Sequence, residues 1–462
     1  MHLIFVIIFF SLSCIPSKLK IDHSGSLYFK KNIENIIQSS NLKANIAIEI
    51  RSLNNGQTLY SLNRNRLLTP ASNIKLITSA AALEYLGDKY KFKTNLYQKG
   101  NNLILEGGGD PTLSIQSLDS LAKIISTKIK KIDTLFLDPF IIDSIAFGEG
   151  WMWDGGYWKH AAEVSGLSIN NNCIDFYVSP GELGETANID FFPKTDYITV
   201  TNNSITVNDT IDFKKLKIER DWISNKNSFL INGEILTTEL TDTLFRNIHD
   251  PSLFTGHIFN KMLTKYNISV AHLTKQDVNL QSELIGFHES NNLSSIIKQM
   301  MHQSNNLSSE LLVKSLSPNK NNPGNWEEGI NIVKSFISDS INLDTAALKI
   351  VDGSGMSRFN LLSPKQIVDL LSYMGENNNF KPFLNALPTG GKKESTLEER
   401  FQNINTKIRA KTGSLYGVST LSGYLFSEKY GPLAFSILIN GYVGSSLPYR
   451  ELQDNICEWL VK

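Results

Sequence analysis

A mixed α/β (α+β) fold, with one antiparallel sheet built from both ends of the chain and a β-rich segment inserted between them, follows from three features of this 462-residue sequence. Near the start, Ala44-Asn45-Ile46-Ala47-Ile48-Glu49-Ile50 alternates like a half-buried strand, and Asn54-Asn55-Gly56 turns the chain into a returning strand at 57–61. Near the end lie three more β-type runs, at 406–412, 418–427 and 433–442. Between the two ends the texture changes. From about 90 to 286, short β-type runs alternate with Asn, Gly and Asp turns. The expected organisation is therefore a leader at 1–14, a helix-covered domain from 21–89 and 287–462, and an accessory insertion at 90–286.

Taken in order, residues 3–12 (LIFVIIFFSL) form an apolar run too short to span a bilayer, as in a secretory signal. Ser11-Leu12-Ser13-Cys14 resembles a bacterial lipoprotein processing box, so a lipid anchor at Cys14 stands beside plain secretion as an expectation. An amphipathic helix is predicted within 21–42, ahead of the first strand. Pro70 then introduces a buried helix through Leu76, Ile77, Ala80, Ala81, Leu83 and Leu86, stopped by Gly87. One helix, at 118–131, is expected inside the insertion. Helices at 293–301, 307–316, 326–337 and 364–374 follow, and another at 449–461 closes the chain.

Composition removes several function classes. Lys+Arg and Asp+Glu are both 45, so there is no basic field for nucleic acid and no polybasic tail for an anionic membrane. Hydrophobic content of 41% with 19% charged residues is that of a globular protein. With Cys14 assigned to the leader, Cys173 and Cys457 remain, too few for a disulfide framework or for a zinc site of their own. The sequence carries no His-Glu-x-x-His helix, and neither a metal nor another cofactor is expected.

The chemistry-bearing stretch is Pro70-Ala71-Ser72-Asn73-Ile74-Lys75. Ser72 falls at a helix start, where unpaired N–H groups and the helix dipole favour negative charge. Lys75, three residues on, shares its side of the turn and can act as a base if burial keeps it neutral. Ser-x-x-Lys alone is common: it recurs at Ser17/Lys20, Ser120/Lys123, Ser295/Lys298 and Ser317/Lys320. Two distant patterns single out Ser72. Ser304-Asn305-Asn306 precedes an apolar helix, and Lys411-Thr412-Gly413 ends a predicted strand before Ser414.

In this order, the three motifs resemble those of the penicillin-binding proteins and serine β-lactamases. The resemblance narrows to the class C low-molecular-mass penicillin-binding proteins, the D-alanyl-D-alanine carboxypeptidase/endopeptidase family. It extends through Gly107-Gly108-Gly109-Asp110-Pro111-Thr112-Leu113, Gly150-Trp151-Met152-Trp153-Asp154, Leu167-Ser168-Ile169-Asn170-Asn171-Asn172, Asp352-Gly353-Ser354-Gly355, and Lys411 through Tyr424. It implies a penicillin-binding transpeptidase-like domain, an antiparallel five-stranded sheet covered by helices. It also implies Ser72 as nucleophile, Lys75 as base, Ser304 as proton relay, Asn306 on a substrate amide, and Lys411 as a positive field. Thr412, Gly413 and Ser414 would line the substrate carboxylate and oxyanion sites, with the N–H groups of Ser72 and Ser414 as the oxyanion donors. Arg358 is expected to face the cleft. Where many members of the family have a second acidic residue after Trp-Asp, this chain has Gly155, which leaves Asp154 to meet the substrate's side-chain amine. The outlying Gly107–Pro111 and Gly353–Gly355 stretches read in themselves as tight turns.

The function implied is hydrolysis of peptidoglycan stem peptides ending in D-Ala-D-Ala, in a bacterial periplasm or envelope, with β-lactams as covalent inhibitors. A serine β-lactamase and a catalytically silent wall-binding protein are the alternatives. The first lacks an Ω-loop glutamate followed by Leu-Asn, and the intact motifs speak against the second. The chemistry asks Lys75 to lose its proton near neutrality, through desolvation and the nearby charge of Lys411, while Lys411 keeps its own.

Overall fold

Five strands pair antiparallel in the spatial order Ile408–Leu415, Val418–Ser427, Gly431–Asn440, Asn45–Ser52, Thr58–Leu62. In this computed structural model, residues 23–462 are described except 210, 279–281 and 318–321, so the apolar leader and Cys14 lie outside the described residues. The register joins the two ends of the chain side by side: Ile48 and Leu421 both stand opposite Ile437, on either side of it.

Both faces of the sheet are covered, and the two-residue period of its strands divides the side chains between two cores. Ala47, Tyr424, Ala434 and Leu438 face a helical layer that includes Ile74–Tyr85, Leu293–Gln303 and Pro364–Glu376. Ile46, Ile48, Ile50, Phe435, Ile437 and Ile439 face the terminal helices, His23–Ser39 and Leu447–Val461. The helix Ile74–Tyr85 is the central post of the first core, with Ile74, Leu76 and Leu83 at 0%, 0% and 1% exposure. Each such side chain contributes about 1.5–3 kcal/mol through burial.

The β-rich middle forms three sheets. A mixed five-stranded sheet runs Ser269–Lys275, Lys131–Asp138, Asn102–Glu106, Lys93–Lys99, Glu283–Glu289. Two three-stranded sheets, drawn from residues 173–192 with 242–247 and from residues 199–236, share its apolar core. The strand Glu283–Glu289 pairs with Lys93–Lys99 and so runs across the expected boundary at 286/287. The single helix expected at 118–131 ends earlier, as Ile115–Ile125, because residue 131 opens the strand Lys131–Asp138. A second helix, Pro251–Lys265, also stands in this segment. Asp250 caps it through Leu253 N at 3.1 Å, and Pro251 opens it, both ordinary start signals. Gly256 weakens its helical pattern, but that glycine is where the helix meets the sheet: a Cβ there would lie 2.4 Å from Leu137 Cδ1.

Cys173 and Cys457 are buried and free. Among the described residues no helix is long and apolar enough to cross a membrane.

Candidate active site

Ala71-Ser72-Asn73 form one 3-10 turn that runs directly into the helix Ile74–Tyr85. The turn is bent by Ala71, whose φ of +45° places an ordinary L-residue in the left-handed region at a cost of about 1–3 kcal/mol. Side chains from the sheet hold it there. Thr420 Oγ1 donates to Pro70 O at 2.9 Å, Asn73 Nδ2 donates to Lys411 O at 2.9 Å, and Ser422 Oγ donates to Asn73 Oδ1 at 2.6 Å. Two glycines close in around it: a Cβ on Gly355 would sit 1.9 Å from Ala71 O, and one on Gly413 2.9 Å from Ser72 N. Ser72 itself stays half-buried between two buried neighbours, so its hydroxyl is presented by a rigid, strained turn.

Lys75 is fully buried, and its Nζ has three neighbours: Ser72 Oγ at 3.0 Å, Asn306 Oδ1 at 2.8 Å and Ser354 O at 2.7 Å. Asn306 is oriented by its other end, where Nδ2 donates to His160 O at 3.0 Å. Two of the three neighbours of Nζ are thus carbonyl oxygens that can only accept. A neutral amine has two hydrogens and one lone pair, so with both hydrogens committed the lone pair points at the Ser72 hydroxyl. Burial pushes Lys75 down to about 7, against Glu310 and Asp352, which pull it up.

Ser304 ends the helix Leu293–Gln303 in a left-handed conformation, φ +55°, a capping position usually given to glycine. Its Oγ accepts from Lys411 Nζ at 2.8 Å. Lys411 is buried on the edge strand Ile408–Leu415, and its Nζ also donates to Thr412 O at 2.7 Å. Burial, and then the charge of Lys75, hold Lys411 well below the ordinary lysine range. Burial thus lowers both lysines, and the two carboxyl groups near Lys75 oppose that lowering at Lys75.

Thr412 and Gly413 continue the edge strand toward the exposed Ser414. Arg358 lies at the rim, where its Nη2 donates to Tyr416 O at 2.8 Å and ties the loop after Asp352 to the turn after Lys-Thr-Gly. Asp154 is exposed in the single turn Trp153–Gly155, with no hydrogen bond or ion pair among the described residues. Gly155 beneath it packs 2.9 Å from Ala161 Cβ and 3.6 Å from Met356 Cε, measured from an added Cβ. Beside Ser304 and Asn306 opens a cleft of about 380 Å³, walled on its far side by Trp158, Phe245 and Arg246 of the insertion.

The structure thus forms two hydrogen-bonded groups, Ser72–Lys75–Asn306 and Lys411–Ser304, with Ser304 and Asn306 two residues apart in the chain, Gly413 against Ser72, Arg358 on the turn after Lys-Thr-Gly, and Asp154 exposed beside Gly155. Sequence reading missed the residues that hold the cluster together. Asn73, inside the Ser-x-x-Lys motif, gave no signal beyond being polar in a buried turn, and Thr420 and Ser422 look like ordinary strand residues. Trp151 is a strut: its Nε1 donates to Asp352 Oδ2 at 3.0 Å.

Comparison with known proteins agrees with this arrangement. The chain is 30% identical over 446 residues to a D-alanyl-D-alanine carboxypeptidase of an Actinomadura species, an alignment covering 90% of this chain and 81% of the relative. Penicillin-binding protein 4 of Haemophilus influenzae superposes with a TM-score of 0.81 at 24% identity, over 93% of this chain and 99% of that one. A second structure of that protein, complexed with a β-lactam, superposes with a TM-score of 0.75 at the same identity and coverage. The pattern describing the D-Ala-D-Ala carboxypeptidase 3 (S13) family matches residues 29–462, nearly the whole chain, and the chain belongs to that family.

Proposed function

We propose that this serine-type D-Ala-D-Ala carboxypeptidase cleaves peptidoglycan stem peptides through an acyl-enzyme on Ser72, and that β-lactams acylate the same oxygen. The observation that carries the residue assignment is the environment of Lys75 Nζ, where two obligate acceptors leave only Ser72 to give up a proton. Ser72 Oγ attacks the carbonyl between the two D-alanines as its proton passes to Lys75. The N–H groups of Ser72 and Ser414 receive the oxyanion, and the proton returns to the leaving amine by way of Ser304. Lys411, whose Nζ donates to Ser304 Oγ and Thr412 O and to no carboxylate among the described residues, acquires one when the substrate's terminal carboxylate arrives and is charged in that complex. Asn306 holds the substrate amide, and Asp154 and Arg358 face the approaching peptide. Water then replaces the amine and frees the acyl group. An amine borne by a neighbouring stem peptide suits the same geometry as leaving group, which is DD-endopeptidase activity.

The accessory insertion spans about 90–290, counting the strand that crosses the expected boundary. The leader directs the chain to the bacterial envelope, with Cys14 as a lipid anchor. Incubation with a fluorescent penicillin tests the site: wild type takes up one label, and Ser72→Ala takes up none while remaining folded, since a hydroxyl near a helix start is worth at most about 2 kcal/mol. Labelling that survives in the variant would remove Ser72 from the mechanism.

A further inference from the structure

Among the described residues no charged group hydrogen-bonds to Lys75 Nζ. Its contacts are a hydroxyl, an amide and a peptide carbonyl. Two carboxylates nevertheless stand one peptide away. Glu310, on the helix Asn306–Lys314, and Asp352 are both 0% exposed, and neither forms an ion pair among the described residues. Their oxygens are filled by N–H donors instead. Asp352 Oδ1 accepts from Gly355 N at 2.8 Å and Asn360 Nδ2 at 2.7 Å, and its Oδ2 accepts from Ser357 N at 2.7 Å and Trp151 Nε1 at 3.0 Å. Glu310 accepts from Gly353 N and Ser354 N, each at 2.8 Å, and from Trp326 Nε1 at 2.9 Å.

The pairing is peptide by peptide. Gly355 N and Ser354 O belong to one peptide unit, so Asp352 holds the end opposite the one that Lys75 Nζ holds. Ser354 N and Gly353 O belong to the preceding unit. Glu310 holds its N–H, and its carbonyl accepts from Thr78 Oγ1 at 2.8 Å, one turn beyond Lys75 on the same helix. A carboxylate polarises the peptide it accepts from, which strengthens the carbonyl at the other end as an acceptor.

We propose that Asp352 and Glu310 are positioning residues for the general base: Asp352 through the peptide whose carbonyl Lys75 Nζ holds, and Glu310 through the preceding peptide and Thr78 on the helix of Lys75, keep the amine on Ser72 and set the pH at which it becomes a base. A carboxylate in direct contact would lock the lysine as an ammonium, and none at all would leave burial alone to strip its proton far into the acid range. Carboxylates held one peptide away lie between these extremes. The other charges facing the assembly are Lys411, across Ser304 on the edge strand, and Lys314, which is tied to Asp143 at 2.5 Å.

The proposal rests on Lys75 being the base, and the test separates the two. Acylation by a fluorescent penicillin is followed against pH for wild type, Asp352→Asn, Glu310→Gln and Lys75→Arg. Removing the Glu310 charge should move the rising limb about one pH unit to the acid side, with a smaller shift in the same direction for Asp352→Asn. A uniform loss of rate with the limb unmoved would make both residues merely structural and overturn the proposal. Substantial activity in Lys75→Arg would instead overturn the assignment of the base. Should the neutral variants fail to fold, Asp352→Glu and Glu310→Asp decide. These keep the charge but displace the loop, so the limb should hold within about half a pH unit while the plateau rate falls at least tenfold. An undiminished plateau, or failure of all four variants to fold, refutes a role in catalysis.

Discussion

Acylation should rise along a limb centred close to neutrality as Lys75 loses its proton, then fall when Lys411 or another cation does, and the steepness of the rise can be worked from the burial of Lys75. Moving a lysine from 10.5 to about 7 means that the fold disfavours the ammonium by about 5 kcal/mol, at about 1.4 kcal/mol per pH unit. The base-competent fraction is then about a tenth at pH 6, half at pH 7 and nine-tenths at pH 8. Second-order acylation by penicillin should therefore rise about tenfold from pH 6 to pH 8, with most of the rise below pH 7.5. An ordinary lysine would instead give about a hundredfold rise over the same interval with no bend. Stopped-flow fluorescence below saturation measures this quantity, and the penicillin carboxylate stays ionised throughout. A log–log slope of one continuing past pH 9, or a flat profile from pH 5.5 to 8, would refute the reasoning.

The two lysines should separate on substitution. Lys75→Arg should be nearly inactive at every pH, because a guanidinium cannot be deprotonated in a protein, whereas Lys411→Arg should keep measurable acylation and lose affinity for substrates with a free terminal carboxylate. Single-turnover acylation of both variants checks this, and the reverse pattern would exchange their roles. Ser304→Gly should relieve the left-handed cap and raise thermal stability by about 1 kcal/mol, while acylation falls about a hundredfold with loss of the hydroxyl on Lys411. Cys14→Ala should move the protein from membrane fractions into the soluble periplasm, and unchanged fractionation would argue for plain secretion.

What could be read from the sequence were the parts in which pattern and chemistry coincide. The strand at Val418–Ser427 was legible to the residue because a β-type run, buried on both faces, is flanked by turns. Ser72, Lys75, Ser304, Asn306 and Lys411 were legible because each lies in a short motif whose order is itself informative. The helix Pro251–Lys265 was not, since a glycine needed for packing on the sheet interrupts its apolar pattern. The electrostatics were half legible. Burial of Lys75 follows from its apolar helix, but Glu310 looks like one more polar residue on an amphipathic surface. Its 0% exposure arises from packing against a loop more than forty residues away, which no local pattern encodes. For the same reason the carboxyl groups that oppose the lowering of Lys75 could not be read from the sequence.

The antiparallel pairing of Lys93–Lys99 with Glu283–Glu289 places Lys93 opposite Glu289 and brings the chain back to where it left. For the serine-bearing domain, that closed neck turns a detour of about 190 residues into a short loop. Chain-closure entropy grows by about 0.6 kcal/mol per doubling of length, so shrinking the effective loop some twentyfold spares about 2–3 kcal/mol when the helix of Ser72 meets the turn of Ser304. Length added to a clasped insertion away from His160 and Trp151, which brace Asn306 and Asp352, leaves the distance between a nucleophile and its relay unaltered. The same clasp leaves the insertion with an apolar core of its own, apart from the sheet that the last three strands complete around Ser72 and Lys411.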